Sequence, residues 1–437
     1  MNKSNKRALP VLLILTVILT TVLSACSTGG KASSGTEDGK VEIQFWNSFA
    51  GDSSKPLEAA IAKYNESQDK IFVKVLSNQD PQKQLTAISG GNPPDLVLTQ
   101  WNNIGPWSAA GAVKPLKEFI DKDGFDTAQI IPAALDRMKV KDDIYGFPIS
   151  MSMANKLFYN KQALEAAGLT APPETLEQMM DYAKKLTIKD DKGNITQMGF
   201  IPDYPWIDNV FWPIIFNGSW DDGNGKLTAN QPANVKSIEY QARFYQEFGQ
   251  EGIDKFKSGM GKMETPQDPI LTGKLGMMIG WENWYVDNRG EGKEIGVAPF
   301  PYPEAQPELK NAGMVSPIAM FIPAKAKYQD EAWEVMKYLL SEDVQIDYSI
   351  EYGSIPVLLK ALDNPKLTEN EKTKPLWDYY ESAKSPNLKG FPNSIYINEY
   401  LQALNEETEK ALKGQQSAQQ AMDIVVEKMQ PVADKNK

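Results

Sequence analysis

The chain has 437 residues, 41% hydrophobic and 10% aromatic, enough for two globular lobes with substantial cores. One cysteine and no histidine exclude a disulfide framework, multi-cysteine zinc and iron–sulfur sites, Ser-His-Asp and Cys-His catalysis and most catalytic zinc. The formal net charge is -11, and more negative once the first 25 residues, with Lys3, Lys6 and Arg7 and no acid, are set apart; so acidic a body excludes nucleic acid as the expected partner.

In chain order, residues 1–7 are basic and 8–25 are uncharged, with a dense apolar run from Val11 to Leu19. That is the order of an export signal. Leu23-Ser24-Ala25-Cys26 then places small residues directly before the single thiol. The segment resembles the lipobox of a bacterial lipoprotein signal. The resemblance implies a signal peptide over 1–25 and lipid attachment (diacylglycerol, palmitate) at Cys26. An uncleaved membrane anchor is the other reading, because the run approaches the roughly 20 residues that span a bilayer. Residues 26–40, rich in Ser and Gly, read as a lipidated flexible tether with a reach of roughly 20 Å. The body is then expected outside the cytoplasm, lipid-anchored at the cell membrane.

Val41 to Trp46 alternates like a strand and leads into the polar loop 47–52. Leu57, Ile61 and Tyr64 mark a helix. Ile71 to Leu76 is a second strand, Gln82 to Ile88 a short helix and Pro94 to Thr99 a third strand after a Gly-Gly-Asn-Pro turn. Strands alternating with helices predict a parallel α/β sheet, whose ligands bind at the carboxyl ends of the strands. The later chain is mainly helical, over 163–167, 175–186, 332–340 and 401–412. Trp333 and Trp377 are expected to pack. Asp221-Asp222-Gly223-Asn224-Gly225 reads as a hairpin turn, since it lacks the spacing and closing Glu of a calcium loop. No metal site and no cofactor are expected.

Several short motifs occur in a fixed order. They are Gly91-Asn92-Pro93-Pro94-Asp95, Gly111 to Leu116, Tyr145-Gly146-Phe147-Pro148 with Tyr159-Asn160-Lys161, and Gly273-Lys274-Leu275-Gly276-Met277 before Trp281. Ala298-Pro299-Phe300-Pro301, Gly313-Met314, Gly353-Ser354-Ile355-Pro356 and Leu412 to Ser417 complete the series. Together they resemble the extracellular solute-binding proteins of sugar ABC transporters (bacterial solute-binding protein family 1, maltodextrin-binding-protein-like). The resemblance implies an α/β, two-lobed periplasmic-binding-protein-like fold of type II, with the ligand cleft between lobes joined by hinge segments. The crossings are expected near 150–153, 313–316 and 353–358. One lobe would hold 41–150 and 316–355, the other 151–315 and 356–437. The implied partners are a carbohydrate and the permease subunits of an ABC importer with its cytoplasmic ATPase; the protein itself is expected to be a monomer and not an enzyme.

A sugar needs aromatic plates for its C–H faces and planar polar groups for its hydroxyls. Candidate ligand contacts are Trp46, Asn47 and Ser48 after the first strand, and Gln100, Trp101 and Asn102 after the third. Asp203, Trp206 and Asp208 lie in one polar–aromatic loop, and Trp281, Glu282 and Trp284 follow the Gly-Lys-x-x-Met strand. Tyr396 completes the set, of which Trp101, Trp281 and Trp284 are the leading candidates. Asn102-Asn103 stands where the maltodextrin type has a charged pair, which points to a different glycan, expected to be an oligosaccharide. Two alternatives stay open: a non-sugar solute on the same fold, and a surface-anchored glycoside hydrolase using two carboxylates about 5–10 Å apart.

Overall fold

A computed structural model describes residues 39–205, 209–282, 284–285 and 294–436. The signal peptide, Cys26 and nearly all of the tether lie outside the described residues, as do Trp206 and Asp208. Among the described residues no helix is long and apolar enough to cross a membrane.

Eight strands form one sheet: β1 (Val41–Asn47), β2 (Ile71–Leu76), β3 (Leu96–Gln100), β4 (Phe147–Asn160), β5 (Met277–Trp281), β6 (Ile295–Pro299), β7 (Gly313–Phe321) and β8 (Leu388–Lys389). The order is β6-β4-β7-β3-β1-β2, with β5 also on β4 and β8 also on β7. β1 is parallel to β2 and β3, as the alternation of strands with helices leads one to expect, and its buried Ile43 and Phe45 alternate with exposed Gln44. β7 joins antiparallel to β3 and β4.

The 14-residue strand β4 changes partners along its length. On one edge it pairs with β7 from Phe147 to Ala154, then with β6 from Lys156 to Asn160. On the other edge Met151 exchanges main-chain bonds with Ile355 at 3.2 and 3.3 Å, and from Ala154 onward the partner is β5. Ser152 lies opposite Ser316. The chain near 151–153, 315–317 and 355 therefore runs side by side.

Helices cover the sheet: α1 (Lys55–Ser67), α2 (Pro81–Ser89), α3 (Pro132–Asp136), α4 (Leu176–Leu186), α5 (Pro232–Phe248), α6 (Gln250–Gly259), α7 (Gln329–Leu339), α8 (Glu342–Tyr352), α9 (Trp377–Ser382), α10 (Ile397–Leu412) and α11 (Ala418–Lys435). Their starts follow local chemistry. Asp80 caps α2 ahead of Pro81, Thr175 caps α4, and Ser417 with Gln420 forms a capping box on α11. In α1, Leu57, Ala60, Ile61 and Tyr64 form the inward stripe.

One aromatic group gathers Phe119, Phe125, Phe147 and Trp333; another gathers Phe200, Phe211, Trp212, Tyr240, Phe244 and Phe300. Each such ring contributes about 1.5–3 kcal/mol through burial. Trp333 packs as expected, whereas Trp377 differs: it is 42% exposed, because the first turn of the short helix α9 turns Tyr379 and Tyr380 inward instead. Residues 221–225 form the turn expected, closed by the antiparallel bridge of Asp221 with Leu227. Among the described residues no cluster of three acidic or sulfur side chains is placed to hold a metal.

Candidate functional site

The carboxyl end of β3 lies beside β7 and, across it, β4: Gln100 lies opposite Ile318, which lies opposite Ser150. Trp46 is still in β1, half-buried, with its indole N–H donating to Gln44 at 3.2 Å. Asn47 is fully buried and shapes the loop. Its Oδ1 accepts from Phe49 N at 2.9 Å, and its Nδ2 reaches Ser77 at 3.5 Å. Ser48 N donates to Leu98 O at 3.3 Å. The loop so formed brings Phe49 to 5.8 Å from the ring of Tyr352 at the end of α8. Gln100 is exposed and Asn102 half-buried.

Trp281 ends β5 half-buried, opposite Ala154. The next residue, Glu282, is 1% exposed, and its Oε2 accepts from Met153 N at 2.9 Å. Among the described residues its Oε1 has no hydrogen-bond partner. Burial pushes this carboxyl up to about 7; the Met153 N–H and the Ser152 hydroxyl pull it partly back. Tyr352 and Tyr379 both lie close enough for the Glu282 charge to raise their phenols further, on top of burial. Across Tyr379, Lys156 is buried, bonded to Ser382 at 2.5 Å and 5.5 Å over the Tyr379 ring; burial lowers it to about 8.

Trp284 is placed differently from Trp281. It is 2% exposed, stacks on Phe158 at 5.1 Å and donates its indole N–H to Asp268 at 3.1 Å. Both of its faces are taken up by the core. Asp203 is half-buried and paired with Lys257 of α6 at 2.7 Å.

A second group surrounds Trp101. The Arg137 guanidinium lies 3.0 Å over the Trp101 ring. Asn393 donates to Arg137 O at 2.9 Å and to Trp101 O at 3.4 Å, and accepts from Gly105 N at 3.1 Å. Tyr396 follows, near Asp221, its phenol raised by burial first and by Asp221 second. A cavity of 230 Å³ opens beside this group, lined by Asp136, Arg137, Trp220, Asp221, Lys389 and Phe391 among others. Burial lowers the Lys389 ammonium, which donates to Asn217 Oδ1 at 2.7 Å.

The fold thus sets Asn47, Ser48 and Gln100 at the ends of β1 and β3 and Trp281 and Glu282 at the end of β5, while Trp101 and Tyr396 neighbour two residues of the cavity lining, Arg137 and Asp221. It sets Asp203 on an ion pair and Trp284 in the core. Sequence reasoning missed Phe49, Ser152, Ser316, Tyr352, Arg137 and Asn393. The only signal was position beside a recognised motif, as with Tyr352 before Gly353-Ser354; Arg137 and Asn393 had none.

Comparison with known proteins gives a consistent picture. The family model for bacterial extracellular solute-binding proteins matches residues 59–375. The sn-glycerol-3-phosphate-binding periplasmic protein UgpB of Rhizobium meliloti is 25% identical over 411 residues, 89% of this chain and 92% of that protein. The maltotriose-binding protein of Pyrococcus abyssi is 21% identical over 351 residues, 76% of this chain and 70% of that one. Among solved structures, CpMnBP1 with mannotriose bound superposes with a TM-score of 0.71 at 24% identity, covering 88% of this chain and 98% of that one. The cyclic alpha-maltosyl-1,6-maltose binding protein of Arthrobacter globiformis gives 0.72 at 19%, covering 90% and 99%. At these identities the structural likeness shows the fold, which is the two-lobed type II arrangement expected from the sequence.

Proposed function

The chain belongs to the bacterial extracellular solute-binding protein family, and we propose that it captures a carbohydrate, an oligosaccharide in our reading, and delivers it to an ABC importer. The family is one of binding proteins, so the chain is not an enzyme and the hydrolase alternative is set aside. The observation that carries the sugar reading is the set of half-buried rings, Phe49 against Tyr352 and Trp281 at the end of β5, together with the half-buried Ser152 and Ser316 that face each other within β4 and β7. Apolar ring faces and neutral polar groups suit a sugar's two kinds of surface.

The ligand contacts we propose are Trp46, Asn47, Ser48, Gln100, Trp101, Asn102, Trp281, Glu282 and Tyr396, with Asp203, Trp206 and Asp208 from the same sequence reading; Trp284, stacked on Phe158 in the core, is left out. The lobes are taken as 41–150 with 316–355 and 151–315 with 356–437. The change of partners along β4 supports a hinge near 150–153. Gln345 of α8 accepting from Val357 N at 2.9 Å keeps the start of the last segment against the first lobe. Closure of such lobes on a ligand is hinge motion. The partner is a permease with its ATPase, the binding protein acts as a monomer, and Cys26 anchors it by lipid on the outer face of the cell membrane.

A second reading keeps the fold and takes a phosphate ester. The R. meliloti relative is named for sn-glycerol 3-phosphate, and Arg137 and Lys389 line the 230 Å³ cavity. Thermal shift with mannotriose, maltotriose and sn-glycerol 3-phosphate separates the two, since a ligand at 100 times its Kd stabilises by about 2.7 kcal/mol. We expect an oligosaccharide to raise Tm and to be recovered uncleaved. A shift with glycerol phosphate alone establishes the second reading and overturns the first.

A further inference from the structure

Residues 388–391 are fastened to the second proposed lobe. Leu388 and Lys389 of β8 pair with Gly313 and Met314, and the Lys389 ammonium reaches Asn217 Oδ1 at 2.7 Å and Gly218 O at 3.3 Å. The Phe391 ring packs 5.1 Å from Trp220 and 5.2 Å from Tyr400, whose hydroxyl donates to Trp220 O at 2.8 Å. Tyr400 belongs to α10, which packs on α5 and α11. The segment 392–396 is therefore anchored in that lobe on both sides.

Its tip crosses to the first lobe. Asn393 is buried, and the three hydrogen bonds of its amide end on separate main-chain groups there: Arg137 O, Trp101 O and Gly105 N. Gly105 is the second residue of the short helix Ile104–Ala109, where an N–H has no acceptor within the helix. The helix's own N-cap residue does not serve it. Asn103 makes no capping bond and gives its amide to Thr99 Oγ1 at 2.9 Å. Asn393 caps from the other lobe instead. Two glycines let the lobes meet. A Cβ at Gly105 would lie 2.4 Å from Ser394 O, and one at Gly390 would lie 2.1 Å from Arg137 Cδ. Neither glycine has a positive φ, so it is the close approach that calls for glycine at both. Asn364 and Lys366 also cross, to Glu342 and Asp343 of α8, but they stand close behind the crossing at 353–358.

We propose that Asn393 is a latch between the lobes, a side chain of the second lobe that caps a helix of the first and so holds the described arrangement against hinge rotation. The inference rests on the lobe and hinge reading above. A planar amide bonded at three points is fixed in both position and orientation, because each bond weakens steeply with distance and angle. Rotation about the crossings carries residues 388–396 with their own lobe and cannot keep all three bonds. They break together, and the Gly105 N–H loses its cap. Loss of the latch therefore shifts the lobes away from the described arrangement, whatever ligand is present.

The test is the distance between spin labels at Glu66→Cys and Lys192→Cys, both exposed and one on each proposed lobe, in the full chain carrying Cys26→Ser. It is read without ligand and with mannotriose, maltotriose or sn-glycerol 3-phosphate. Asn393→Ala should lower the population at the distance of the described arrangement, relative to all others, roughly tenfold. Gly390→Ala, which forces Arg137 off the same contact and leaves Asn393 in place, should shift it in the same direction. A purely structural role for these residues would lower Tm and leave the distance alone. Should neither variant fold, hydrogen exchange at the Gly105 amide decides, with Asn393 intact: it must speed with a ligand that moves the lobes from the described distance and not with one that leaves them there. An unchanged distance in the folded variants, or Gly105 exchange that ignores a ligand-driven movement, overturns the latch alone. A distance that no ligand and no variant alters overturns the hinge reading as well.

Discussion

The side-chain amide of Asn393 donates to the main-chain oxygen of Arg137 at 2.9 Å, although the two residues stand 256 positions apart. The same side chain accepts from Gly105 N and reaches Trp101 O. One buried amide thus ties the segment before α10 to the loops after β3 and α3. Asn393→Ala removes all three bonds and leaves the buried Gly105 N–H without that acceptor, so it should cost about 1–3 kcal/mol in urea unfolding. Gly105→Ala should act the same way, because a Cβ there would sit 2.4 Å from Ser394 O. Urea midpoints unchanged in both variants would show that this tie contributes nothing.

Trp281 and Trp284 lie three residues apart and should answer mutation in opposite ways. Trp284 is enclosed against Phe158 and bonded to Asp268, so Trp284→Ala should lose about 3–5 kcal/mol of stability. Trp281 is half-buried at the end of β5. Trp281→Ala should cost about 1 kcal/mol or less but weaken ligand affinity by roughly tenfold or more. Calorimetric titration with the oligosaccharide that shifts Tm, beside urea unfolding, measures both. Unchanged affinity in Trp281→Ala removes it from the proposed contacts.

This pair also shows what the sequence can carry. β2 runs from Ile71 to Leu76, the bounds its composition predicts, because a strand's period is local. The α2 start follows equally from Asp80-Pro81. Whether an indole in Trp281-Glu282-Asn283-Trp284 faces a cleft or a core is not local. It is decided by Phe158 on β4 and by Asp268. The same holds for Glu282: the letter marks an acceptor, but its donor, Met153, is set by the partner change along β4. Arg137 and Asn393 carried no motif at all, since what joins them is the folding together of distant segments.

Cys26 precedes every described element, and the described residues close their core without it. Cys26→Ser should therefore leave Tm and ligand-induced shift within error of the parent. It should abolish incorporation of labelled palmitate and release the protein from the membrane fraction. Fatty-acid labelling that persists in the variant would rule out residue 26 as the attachment point.

Glu407 of α10 is 1% exposed and joins two helices through charge. Its Oε1 accepts from Lys428 of α11 at 2.5 Å and from Lys410 at 2.9 Å, and its Oε2 accepts from Gln416 at 2.9 Å. The hydrogen bond from Lys428 is the main cause holding this carboxyl down at about 2, against the opposing pull of burial. A carboxyl with a lowered pKa stabilises the fold fully above its ordinary value of about 4.3, and that contribution fades as pH falls toward 2. Glu407→Gln keeps the shape and removes the charge. Both lysines are nearly half exposed and regain water, so the loss at pH 7 should be about 1–3 kcal/mol, at or below the lower end for breaking a buried pair. Urea unfolding at pH 7, 4 and 2.5 should show the gap between parent and variant narrowing at each step. A gap that stays constant down to pH 2.5 would mean that packing around residue 407, and not its charge, holds α10 to α11.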